Sequence, residues 1–255
     1  MALPKKSYIK PSRPSYKDFA YQAKKSTLKQ SVDLREWDLG VEDQLSLGSC
    51  VGQAVATSYE IQVKKLYPDM ANQLSRLFVY YNGRLLEGSE TVDDGVTVKS
   101  GVKSVYHYGI CTEELWLYDV EKFDDQPLPK CYRDAINRRI SKYEKVFDTL
   151  DMVDALNTEK PVVIGTYTFS DFSYLTKDDP VVKMPSTNSY YDGAHSMAIV
   201  GYDLDKEMFL AKNSYGPEWG DMGYCWVPFD YAKVYFFDRW VFDITNPYNI
   251  DYENI

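Results

Sequence analysis

The chain has 255 residues, 44% of them hydrophobic and 26% charged, and a net charge of −9. Such a composition excludes global disorder, and the acidic balance leaves a nucleic-acid partner without electrostatic support. The length fits one large domain or two lobes sharing a core region.

Residues 1–30 carry Pro4, Pro11 and Pro14 among lysines and tyrosines, with no sustained period. They read as an extended arm with at most one short helical piece. The arm has no apolar segment of the kind that opens a secretory signal, and the longest apolar runs, 161–165 and 197–201, are too short to cross a bilayer. The expectation is a cytoplasmic protein with no membrane partner, with virion association left open. Residues 31–37, SVDLREW, alternate apolar and charged and predict a short strand.

From Ser49 the pattern changes. Val51, Ala54, Val55, Ser58, Tyr59 and Val63 recur at three- and four-residue spacing, which predicts an amphipathic helix. Residues 74–86 and 97–108 predict two more helices, and 152–157 a further one. Runs rich in β-branched and aromatic residues then follow at 162–169, 195–202, 208–211, 223–227 and 240–244. Glycine and aspartate separate most of them, as between antiparallel strands. A helical half followed by a strand-rich half predicts an α+β protein of two lobes.

Cys50, Cys111, Cys131 and Cys225 form no CxxC pair and no metal-ligand spacing, so neither a metal nor a disulfide is expected. Gly48 and Ser49 suit a turn and a helix cap, which places Cys50 in the first turn of the long helix. Unpaired N–H groups and the helix dipole favour a thiolate there. A buried structural thiol under a helix cap explains the same residues.

The chain has two histidines. His107, in VYHYGI, reads as a helix-end or surface residue. His195, in YYDGAHSMAIVGY, opens an apolar strand, where a buried imidazole needs a partner. Eighteen residues later, KNSYGPEWGDMGY supplies Asn213, whose side-chain carbonyl is suited to orient an imidazole. Tyr215 and Trp219 are placed to shield that bond from water. A glycine-rich hairpin with aromatic core residues is the structural alternative.

Taken together these segments resemble the papain family of cysteine peptidases. DQLSLGSC resembles its glutamine-to-cysteine segment, with Gln44 six residues before Cys50. GAHSMAIVGYD resembles its histidine strand and KNSYGPEWGDMGY its asparagine segment. The stretch DDGVTVKSGVKSVYHYGICTEELWLYD is similar to the part carrying a substrate-lining glycine, a helix and a Gly-Ile-x-x-Glu turn. KFDDQPLPKCYRDA and KPVVIGTYTFSDF resemble the inter-lobe segment and first barrel strand of non-exported bacterial and viral members.

The resemblance implies a papain-like two-lobed fold, with a helical left lobe, an antiparallel β-barrel right lobe and the active site in the cleft between them. In domain terms, residues 1–30 form the arm and 31–255 the peptidase domain. About 41–135 make the helical lobe, and about 136–255 plus 31–40 the barrel lobe. The implied catalytic residues are Cys50 as nucleophile, His195 as base, Asn213 orienting it and Gln44 on the oxyanion; Gly95, Asp94, Ala194, Tyr215 and Trp219 would line the substrate. No cofactor is implied, and the partner would be a peptide or protein substrate.

Leu47 stands where a bridged cysteine is frequent, Val51 where an aromatic is, and Tyr215 where tryptophan is usual. These departures place the chain in a divergent, bridge-free branch. With about 30 residues ahead of SVDLR, no long inhibitory propeptide is expected, although the arm is open to contact with the cleft. Two rival readings keep the same fold: an acyl-transferring transpeptidase or deamidase, and a silent component of a larger, viral-type assembly. Residues 170–192 are too irregular to place from sequence.

Overall fold

The computed structural model describes residues 9–24 and 26–246. Its first half is helical, with α1 (Cys50–Leu66), α2 (Arg76–Glu87), α3 (Val98–Tyr108) and a short α4 (Pro129–Ala135). A single sheet dominates the rest. It is built from β1 (Ser31–Asp33), β2 (Ile140–Lys145), β3 (Val162–Phe169), β4 (Tyr191–Asp203), β5 (Met208–Lys212), β6 (Tyr224–Pro228) and β7 (Phe236–Ile244). Two helices, α5 (Thr149–Asn157) and α6 (Phe229–Tyr235), are interspersed with these strands. The strand order is β2-β7-β3-β4-β5-β6, β1 joins on β4, and every pair is antiparallel. This is the α+β arrangement of a helical lobe and an antiparallel sheet lobe that the sequence predicts.

The amphipathic pattern of α1 understates its burial. Every residue from Cys50 to Val63 is inside, because α1 lies between β4 on one side and α2 and α3 on the other. Close helix packing there depends on small residues. A Cβ added at Gly52 would come 2.6 Å from the Arg76 carbonyl oxygen, so α2 could not pass as near.

Two predicted boundaries shift and one strand goes unpredicted, each for a local reason. The helix expected from residue 74 begins at Arg76, because the Ser75 hydroxyl accepts from the Phe78 N–H at 3.1 Å and caps it. The strand expected over 31–37 stops at Asp33. Buried Leu34 donates its N–H to the Val200 carbonyl at 2.9 Å, and residues 35–37 then form a 3₁₀ turn. β2 escapes sequence reading because a register shift between Ile140 and Lys142 breaks its alternation.

The arm contains no helix among the described residues. It runs along the sheet edge, where Lys145 donates its N–H to the Phe19 carbonyl at 2.8 Å and accepts from the Tyr21 N–H at 2.9 Å. The Tyr21 hydroxyl donates to Asp154 of α5 at 2.8 Å.

A buried charge cluster ties the sheet to the helical half. Lys212, at the end of β5, pairs with Asp38 at 2.6 Å and Glu42 at 3.1 Å. Glu42 reaches Arg76 of α2 at 3.0 Å, and Arg76 reaches Glu113 at 3.3 Å. Burial alone would depress the Lys212 ammonium, but the Glu42 and Asp38 carboxylates outweigh it and hold it above the usual lysine value. Glu60 of α1 goes the other way. Burial, reinforced by Glu42, pushes its carboxyl up to about 8.

Candidate active site

Cys50 is the first residue of α1, with Ser49 at the N-cap position. Ser49 does not cap the helix with its side chain, contrary to the expectation from sequence. Its hydroxyl pairs instead with the Tyr118 hydroxyl at 2.6 Å. The Cys50 thiol is fully buried. Burial pushes it up to about 12, while the backbone N–H groups of Ser196, Val51 and Cys50 itself pull the other way. The favourable helix start is therefore present, but desolvation outweighs it and favours the protonated thiol. The Ser196 N–H at the sulfur also puts β4, one residue beyond His195, against the start of α1.

His195 and Asn213 are both buried, and His195 Nε2 lies 2.6 Å from Asn213 Oδ1. That oxygen also accepts from the Ser214 N–H at 2.8 Å. A backbone N–H only donates, so the atom facing both groups is the amide oxygen. His195 Nε2 must then carry the proton, which leaves the Nδ1 lone pair as the basic one. Around this pair the ring of Tyr215 lies 4.9 Å from the imidazole and that of Phe172 lies 5.6 Å away. Trp219 packs on Phe172 at 5.2 Å and on Tyr215 at 5.8 Å, donating its Nε1–H to the Phe172 carbonyl at 3.2 Å. An apolar wall of this kind keeps competing water off the imidazole–amide bond.

Gln44 is fully buried and held at three points. Its N–H donates to the Ser214 carbonyl at 2.9 Å, its Oε1 accepts from the Ser214 hydroxyl at 2.7 Å, and its Nε2 donates to the Leu47 carbonyl at 2.8 Å. Those contacts fix the side-chain amide the right way round and tie the segment before Cys50 to the one carrying Asn213. A hydrogen-bonded path thus runs His195–Asn213–Ser214–Gln44 and ends at the loop leading into α1.

A family model for papain family cysteine proteases matches residues 28–235. The chain belongs to that family. It is 33% identical over 218 residues to an uncharacterized peptidase C1-like protein of Acanthamoeba polyphaga mimivirus, covering 80% of this chain and 70% of that one. Xylellain, a cysteine protease from Xylella fastidiosa, superposes with a TM-score of 0.87 at 28% identity, over 96% of this chain and 99% of its own. Procathepsin L 3 of Tenebrio molitor larval midgut shares the fold, with a TM-score of 0.68 at 20% identity over 89% of this chain and 73% of that one. The fold is accordingly the papain-like one of two lobes.

In papain-family terms the remaining residues sit as follows. Gly95 has a φ of +78° and packs on Gly48, two residues before Cys50; a Cβ at Gly48 would lie 3.3 Å from the Gly95 nitrogen. Asp93 fastens this approach, accepting from the Gly48 N–H at 2.9 Å and the Tyr80 hydroxyl at 2.6 Å. Asp94 precedes Gly95 and lines a small recess with Lys10, Glu87 and Thr97. Ala194 is buried and pairs with Tyr167 across β3.

The arm reaches the same region. Ile9 is buried, with Cδ1 3.2 Å from where a Cβ on Gly165 would lie, beside Phe237. Gly165 pairs with Ser196 and its neighbour Thr166 pairs with His195. Three residues on, the Ser12 N–H donates to Asp238 Oδ2 at 2.7 Å, and the Ser12 hydroxyl accepts from the Lys99 N–H at 3.2 Å.

Sequence reasoning missed Phe172, Tyr118 and Ser214. Ser214 adjoins Asn213 and was within reach of it. Phe172 lies in the irregular 170–192 stretch, and no spacing marks Tyr118. All four cysteines are free and buried. Among the described residues no cluster of His, Cys, Asp and Glu could hold a metal, and no helix is long and apolar enough to cross a membrane.

Proposed function

We propose that this chain is an active cysteine endopeptidase, with Cys50 as nucleophile, His195 as general base and acid, and Asn213 orienting the imidazole. The observation that carries the reading is the 2.6 Å contact between His195 Nε2 and Asn213 Oδ1, from which the tautomer follows. With Nε2–H held by Asn213 Oδ1, the Nδ1 lone pair is left to take the thiol proton. Transfer produces a thiolate beside an imidazolium, a pair that offsets the desolvation each charge would suffer alone. The thiolate adds to the peptide carbonyl. The oxyanion is met by the Cys50 N–H and the Gln44 amide, and losing one such donor commonly costs about 3 kcal/mol of barrier. His195 returns the proton to the leaving amine, giving an acyl-enzyme, and then activates water to release the acid. Cys50→Ala is expected to abolish cleavage of a peptide amide while melting like the parent; turnover retained in that variant would remove Cys50 from the role.

We also infer that the arm restrains this activity. Ile9 fills apolar space beside the strand pair that carries His195, and Lys10 sits by Asp94 and Gly95, so residues 9–12 span from the helical lobe to the sheet lobe. A substrate strand approaching Gly95 meets that segment first. Peptidase activity compared with and without residues 1–28 tests the restraint, and equal activity ends it.

A further inference from the structure

Gln44 lies six residues before Cys50, on the loop that leads into α1, and that loop needs outside contacts to hold the relative placement of the two. Tyr118 stands between them. Its hydroxyl donates to the Gln44 carbonyl at 2.7 Å. With its one proton committed there, it accepts from the Ser49 hydroxyl at 2.6 Å, and Ser49 immediately precedes Cys50. Gln53, one turn into α1, reaches the same Ser49 oxygen with Nε2 at 3.5 Å.

Tyr118 is itself held from its other side. Its N–H donates to Glu113 at 2.6 Å, and the Arg76 guanidinium lies over its ring at 5.9 Å. Arg76 in turn pairs with Glu113 and Glu42, so the phenol is anchored in the helical lobe on the charge cluster that joins the lobes. The Gln44 main chain is thus gripped from both sides: by Ser214 of the sheet lobe through the N–H, and by Tyr118 of the helical lobe through the carbonyl.

We propose that Tyr118 is a positioning residue for the oxyanion pocket, its hydroxyl fixing the distance between Gln44 and the N–H of Cys50 through Ser49. This rests on the peptidase reading above and adds a residue that touches neither substrate nor thiol. A peptide bound with its carbonyl in that pocket needs both donors at once, and displacement of the Gln44 main chain by a fraction of an ångström misaligns them in the transition state while leaving ground-state binding largely intact. Alkylation by iodoacetamide is a displacement, in which the C–S bond forms as the C–I bond breaks and iodide leaves, so it develops no oxyanion and does not use the pocket.

That difference supplies the test. Tyr118→Phe keeps the ring and removes only the hydroxyl. Four quantities are compared with the parent chain: kcat and KM for a peptide amide, the affinity of a peptide aldehyde that forms a hemithioacetal on Cys50, the rate of Cys50 alkylation by iodoacetamide, and the melting temperature. The expectation is a fall in kcat of about tenfold, the size of one lost hydrogen bond, with KM within about twofold. Aldehyde affinity falls by the same factor, and the alkylation rate stays within about twofold. Ser49→Ala cuts the same link from its other end, and should Tyr118→Phe fail to fold it is expected to give the same pattern. Unchanged kcat and aldehyde affinity in a folded variant overturn the proposal, as does an alkylation rate that falls as far as turnover, which would mean a general disturbance of the helix start. A parent chain that neither cleaves peptides nor binds the aldehyde refutes the peptidase reading instead.

Discussion

Replacing Ile9 by alanine tests the proposed restraint by the arm, because on that proposal it should weaken the fold slightly while raising activity. Ile9 is 5% exposed and packs beside Gly165 and Phe237. Truncation removes three buried carbons at about 0.8 kcal/mol each, so docking of the segment weakens by about 2 kcal/mol. The ratio of released to docked arm then rises by a factor of about 30, and where the docked form dominates, activity rises by up to that factor. The remaining tethers, the Ser12 N–H on Asp238 and the Lys99 N–H on Ser12, keep the residual restraint measurable. The assay is initial-rate cleavage of a fluorogenic peptide at substrate well below KM, with the melting curve recorded on the same samples. Rising kcat/KM alongside a melting point a few degrees lower is the predicted signature. A folded Ile9→Ala chain with kcat/KM equal to or below the parent would refute the reasoning, since lost packing alone gives no route to higher activity.

Asn213→Ala removes the acceptor that sets the His195 tautomer and leaves a buried imidazole N–H unpaired; a charge-assisted bond of about 1.5–3 kcal/mol predicts a kcat loss of roughly 10- to 150-fold, read by steady-state kinetics. His195→Ala deprives Cys50 of its counter-ion and leaves burial in control of the thiol, so the pH midpoint of Cys50 alkylation should move up; an unmoved midpoint would mean the imidazole does not set thiol reactivity. Glu60 keeps its proton to about 8 when folded, against an ordinary 4.5. Between those values the folded chain binds more protons than the unfolded one, so stability declines as pH rises through the window and levels off above it. Glu60→Gln preserves an acceptor for the Leu74 N–H, bound at 2.6 Å, and should flatten the pH dependence of the melting temperature.

Much of this fold follows local rules that a single sequence displays. The three-and-four spacing after Ser49 marks α1, and VVIGTYTF and HSMAIVGY announce β3 and β4 through their β-branched density. Elements whose pattern is broken were not legible: β2 carries a register shift, and α4 and α6 are only seven residues each. The burial of Gln53, Thr57, Glu60 and Gln62 was hidden as well. Polar residues on α1 read as a solvent face until the sheet closes over them. At the site, His195, Asn213 and Gln44 stood out because histidines are scarce and the three segments resemble a known family in order. Tyr118 and Phe172 reach the site from loops, where side-chain direction follows from tertiary packing and leaves no period to read. The thiol's surroundings were left between two readings for the same reason, since a helix start is visible in sequence but desolvation is not.

The covalent step is the centre of the account, and intact-protein mass spectrometry after rapid mixing with a peptide ester and an acid quench tests it most directly. A single added acyl group is expected, mapped to the fragment containing Cys50, that decays as product forms and is missing from Cys50→Ala. Steady consumption of the ester with no adduct on Cys50, or an adduct carried by Cys111, Cys131 or Cys225 instead, would contradict it.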